Sequence, residues 1–107
     1  LVDFYKKNEF VFEADTWLGK QEKVNLVSVK DINVSIPKGQ LSSASVDVLV
    51  EEPIETPIQK GDLLAKLQVS YGDKKIEFPL AAGEDIEQKG FFSRITSALY
   101  YIILGSN

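Results

Sequence analysis

Few side chains in this sequence are placed to do covalent chemistry, and the first pair to weigh is Ser35 and Lys38, in Ser35-Ile36-Pro37-Lys38. A Ser-x-x-Lys spacing activates the hydroxyl when the serine opens a helix, because the lysine then returns one turn later within reach of it. Here the serine stands late in the alternating run Ile32-Asn33-Val34-Ser35-Ile36, and a proline intervenes. Strand alternation turns Ser35 away from the Val34 and Ile36 face, toward solvent, so the match reads as accidental. Glu51, Glu52 and Glu55 form an acidic cluster, but on an extended connection containing Pro53 and Pro57. A cation site needs convergent oxygens and a sharp glycine turn, so the cluster reads as solvated surface. The chain has no histidine and no cysteine, which removes the commonest general base, the thiolate nucleophile and any disulfide framework. It has no glycine-rich phosphate loop, and a net charge of −4 without a basic stripe argues against nucleic acid. The residues alone predict a non-catalytic β-module with no metal site and no cofactor.

What would position any site is a series of short strands. At 107 residues one domain with a modest core is expected. Leu1-Val2-Asp3-Phe4-Tyr5-Lys6-Lys7 reads as a lead-in from a preceding domain. The chain contains no methionine, so a fragment of a longer protein is expected. Glu9–Ala14 alternates, with Phe10, Phe12 and Ala14 on one face, and Trp17 beside Gly19 reads as a core anchor. Lys23–Val29 and Ile32–Ile36 follow as strands, the second ended by Pro37-Lys38-Gly39. Ser45–Val50 alternates again with Val46, Val48 and Val50 inward. Leu63–Tyr71 and Lys75–Leu80 flank Gly72-Asp73-Lys74 as a β-hairpin, and Pro79 places its second arm on a sheet edge. The pattern predicts a mainly β fold, a small antiparallel β-sandwich of about six strands.

The last stretch has a different period. Wound at 100° per residue, Phe91, Phe92, Ile95, Ala98, Leu99, Ile102 and Ile103 share one face of a C-terminal amphipathic helix. Ser93, Arg94, Thr96, Ser97, Tyr100 and Tyr101 take the other. About fourteen residues at 1.5 Å rise give about 21 Å, short of a hydrocarbon core of about 30 Å, so the segment does not span a bilayer. It could lie in a membrane interface with its tyrosines at headgroup depth, pack on its own sheet, or pair with a twin helix. Arg94 is its one charged side chain, so apolar burial would have to supply most of any membrane affinity.

The order of landmarks is more specific than any one of them. Trp17-Leu18-Gly19, Ile32–Gly39, Thr56-Pro57-Ile58-Gln59-Lys60-Gly61-Asp62, Tyr71-Gly72-Asp73, Phe78-Pro79-Leu80 and Gly90-Phe91-Phe92 follow one another from about Phe10 to the end. In that order and spacing the chain resembles the C-terminal domain of the low-molecular-weight penicillin-binding proteins, the D-alanyl-D-alanine carboxypeptidases of penicillin-binding protein 5 and 6 type. The resemblance implies a linker over residues 1–8, a β-sandwich stalk over 9–89 and a membrane-anchor helix over 90–107. It also implies an upstream serine-type domain outside the cytoplasmic membrane that trims the terminal D-alanine of peptidoglycan stem peptides. That domain would hold the catalytic residues, so none is carried onto this chain, and Ser35 and Lys38 are not the family's pair. The anchor role falls on Phe91, Phe92, Ile95, Leu99, Ile102 and Ile103, which makes the membrane interface the expected partner. The competing expectations are a ligand-binding module, which would show an exposed aromatic platform, and an oligomerisation domain using the helix as its interface.

Overall fold

A computed structural model describes residues 1–90. Its N-terminal half is built on one long antiparallel ribbon. Strand β1 (Val2–Tyr5) pairs with β4 (Ile32–Val34), and β2 (Phe10–Trp17) pairs with β3 (Lys23–Ser28). The Val2–Val34 pair lies at one end of the ribbon and the Asp15–Lys23 pair at the other, beside the turn. Between the two ladders the chain steps out at Lys6–Asn8 and Val29–Asp31, and two backbone–backbone bonds and one to a side chain stitch the break. Asn8 N–H donates to Ser28 O at 2.8 Å, Ser28 N–H to Glu9 O at 3.0 Å, and Lys7 N–H to Asp31 Oδ1 at 2.8 Å. The expected lead-in over residues 1–8 therefore contributes a strand.

Past β4 come a single helical turn α1 (Lys38–Leu41), then β5 (Ser45–Val50), β6 (Ile54–Glu55), β7 (Leu63–Tyr71) and β8 (Lys74–Ala82). Strands β7 and β8 form the expected hairpin. Its two-residue loop is Gly72-Asp73, and Gly72 has φ +57°, as a primed turn requires. The larger sheet runs β5-β7-β8-β3-β2-β6, and β6 lies parallel to β2. The expected antiparallel sandwich is thus corrected to curled, mixed sheets of six and two strands among the described residues. The core follows period-two alternation: Val24 and Leu26 of β3, Leu67 and Val69 of β7, and Leu80 of β8 are fully buried, joined by Ile32 and Ile86.

Four sequence expectations change. Trp17 is exposed, at 53%, because inward-facing Ala14 of β2 fixes the parity that sends residue 17 outward. Phe10 is exposed too, at 54%, since a bulge between Phe10 and Phe12 takes it off the Phe12–Ala14 face. Val46 is exposed rather than inward, because β5 is an edge strand whose inner face is only partly covered. Finally, β8 is interior, between β7 and β3; only Leu80–Ala82 pair with β3, so Pro79 stands just before that ladder begins. The missing N–H of Pro79 is tolerated there because the strand is locally an edge.

Candidate functional site

The residues with catalytic spacing do not converge. Ser35 lies exposed just beyond β4, while Lys38 opens the one-turn α1 after Pro37. No hydrogen bond joins the two side chains among the described residues, and a nucleophile needs its base within that reach. In the acidic stretch, Glu52 is committed to structure: its Oε2 accepts the Asp15 backbone N–H at 2.7 Å. Glu55 lies in β6, beside Trp17 in the parallel register. Among the described residues no group of three or more acidic side chains is gathered as a cation site would need.

The arrangement with functional geometry lies at the turn of the long ribbon, at Trp17-Leu18-Gly19-Lys20. Four segments meet there. Thr16 closes the turn: its N–H donates to Glu22 O at 2.8 Å and its Oγ1 to Gln21 O at 2.6 Å. Thr56, after β6, donates through Oγ1 to Trp17 O at 2.7 Å. The outgoing chain is then laced to the same turn, with Lys20 N–H to Glu87 O at 2.7 Å and Lys89 N–H to Leu18 O at 2.6 Å. Its other side is held by reciprocal bonds between Ile58 and Ile86, at 2.8 and 2.9 Å, and by Lys60 N–H to Asp85 Oδ1 at 2.7 Å. Gly19 is required in this crossing, because a Cβ would lie 2.6 Å from Thr16 Oγ1 and 2.9 Å from Ile86 Cγ2. Leu18 has φ +59°, a left-handed conformation that is uncommon for a branched side chain. Lys20 Nζ meets Glu87 Oε2 at 3.0 Å on the surface.

This geometry fixes where the chain leaves the sheet. Residues 86–89 are clamped against the turn, while Val2 pairs with Val34 at the opposite end of the ribbon. Strand β2 alone separates the two ends by about 24 Å, at about 3.4 Å per residue. The predicted anchor face of Phe91, Phe92, Ile95, Leu99, Ile102 and Ile103 lies outside the described residues. Among the described residues no helix is long and apolar enough to cross a membrane.

Comparison with known proteins matches residues 1–88 to the family model of the penicillin-binding protein 5 C-terminal domain. The chain belongs to this family. It is 33% identical over 81 residues to the D-alanyl-D-alanine carboxypeptidase DacC of Escherichia coli K12, covering 74% of this chain and 20% of DacC. It is 28% identical over 89 residues to DacA of the same strain, covering 81% of this chain and 22% of DacA. Among solved structures, penicillin-binding protein 5 from Haemophilus influenzae shares the fold, with a TM-score of 0.72 at 20% identity over 81% of this chain and 26% of that one. The carboxypeptidase DacD from Francisella tularensis superposes with a TM-score of 0.62 at 26% identity, over 82% of this chain and 23% of that one. The chain thus spans about a fifth of the length of the curated relatives it matches. The matched region is the C-terminal domain, the non-catalytic part of such enzymes.

Sequence reasoning missed the turn as a structural junction. One available signal was parity: once Ala14 is placed inward, Trp17 must face out. Another was the alternation Ile54, Thr56, Ile58, all three of which are buried, within the stretch read as a plain connection.

Proposed function

We propose that this chain is the stalk and membrane-attachment region of a serine-type D-Ala-D-Ala carboxypeptidase acting on peptidoglycan stem peptides outside the cytoplasmic membrane. The observation that carries this is the polarity of the long ribbon. Its β1–β4 end is where an upstream catalytic domain would join, and its turn end is where residues 86–89 hand the chain on to the amphipathic stretch 91–107. The paired ladder with Leu26, Val24 and Ala14 buried along it supports a spacer role between the two. The family membership and the printed activity of DacC and DacA support the identity of the upstream enzyme. In this reading the face Phe91, Phe92, Ile95, Leu99, Ile102 and Ile103 seats in the bilayer interface and holds the enzyme there.

An aromatic platform for a ligand is disfavoured by position. Phe10 and Trp17 are both exposed but stand at opposite ends of β2. The anchor reading is tested by vesicle co-sedimentation of the 107-residue chain, a form ending at Gly90, and Ile95→Asp. The intact chain is expected to pellet with lipid and the other two to stay in the supernatant. Pelleting of the Gly90-terminated form to the same extent would contradict the anchor assignment.

A further inference from the structure

We propose that the Trp17-Leu18 tip is a second lipid contact, seated in the neutral headgroup interface beside the point where the chain leaves the sheet. The proposal rests on the anchor reading above and adds a site to it. Trp17 and Leu18 are adjacent, 53% and 47% exposed, and form the apolar end of the ribbon turn. Lys89 N–H is bonded to Leu18 O at 2.6 Å, so Gly90 emerges directly beside them. A segment that starts at Gly90 and lies in an interface brings this tip to the same plane.

The tip is also built to lose water at little cost. The Trp17 carbonyl is taken by Thr56 Oγ1, the Leu18 carbonyl by Lys89 N–H, and the Lys20 N–H by Glu87 O. Burying backbone groups that already have partners avoids the penalty of stranding them. The close fit around Gly19 holds the turn in one conformation, so the two side chains are presented together rather than ordered on binding. Indole suits this depth, with an apolar body and one N–H for the headgroup layer. Local charge is mixed: Lys20 meets Glu87 at 3.0 Å, Lys23 lies 3.4 Å from Asp15 and 3.9 Å from Glu13, and Glu55 stands opposite Trp17. That balance favours zwitterionic over anionic lipid. A segment with Arg94 as its single cation gains from a second apolar contact, because one weak signal gives only marginal, reversible attachment.

Trp17 is the only tryptophan in the sequence, so the unmodified chain reports on its own tip. The test uses the 107-residue chain with phosphatidylcholine vesicles carrying brominated acyl chains, together with pelleting. Quenching of the Trp17 emission by brominated lipid is expected, with aqueous acrylamide reaching Trp17 before lipid is added. Trp17→Ala is expected to weaken partitioning about fivefold to tenfold. A chain that pellets while its Trp17 emission stays unquenched overturns the tip contact and leaves the anchor standing. Shielding of Trp17 from acrylamide in lipid-free protein also overturns it, because residues 91–107 or a second copy would then cover the tip. A chain that does not pellet at all removes the anchor reading and the tip contact together.

Discussion

Gly19 has no room for a methyl group. A Cβ there would lie 2.6 Å from Thr16 Oγ1, 2.7 Å from Gln21 O and 2.9 Å from Ile86 Cγ2. Gly19→Ala is therefore expected to destabilise the chain by about 1–3 kcal/mol through overpacking. The measurement is the urea midpoint, which should fall while the slope stays unchanged. Leu67, fully buried on β7, gives a second case: Leu67→Ala should cost about 2–5 kcal/mol by cavity creation. At this scale the sequence was legible where parity alone decided. Ser35 is exposed as alternation required, and Ala14, read as inward, is buried. It misled where size was allowed to outvote parity, as at Trp17, and where the bulge after Phe10 broke the count, which no local pattern announces.

Strand β5 is the open side of the larger sheet. It pairs with β7 on one side only, and Val46 and Leu49 are exposed along it. A free apolar edge is a template for pairing with other chains, and a charge within it is a common safeguard. Asp47 supplies that charge at the middle of β5, opposite Gln68. Asp47→Val is expected to produce concentration-dependent association in sedimentation velocity, with thermal stability of the monomer unchanged. The β7–β8 hairpin was readable because alternation and a Gly-Asp turn lie within one short window. The β1–β4 and β2–β6 pairings were not, because they join segments about 30 and 40 residues apart and rest on few paired residues. The clamp of residues 86–89 on the turn is made by backbone groups, which leave no signature in side-chain type. The proposed anchor face, by contrast, rests wholly on a 3.6-residue period in the sequence.

Across the molecule, the proposed arrangement is a spacer with membrane attachment at one end and an enzyme at the other. Attachment is attributed to apolar burial, since Arg94 is the one cation of the stretch 91–104 and the chain carries a net charge of −4. Pelleting with phosphatidylcholine vesicles is therefore expected to change less than about twofold between 50 and 500 mM salt, whereas a charge-driven contact would be screened over that range. The most direct test of the stalk is a height measurement. The chain has no cysteine, so a single label can be placed without ambiguity at Asp3→Cys, near the β1–β4 end, or at Gln21→Cys, in the turn. Energy transfer from each label to acceptor lipids in vesicles reports its distance from the bilayer. Strong transfer is expected from position 21 and weak transfer from position 3. Equal transfer from both would mean that the ribbon lies flat on the membrane, and the spacer role would fall.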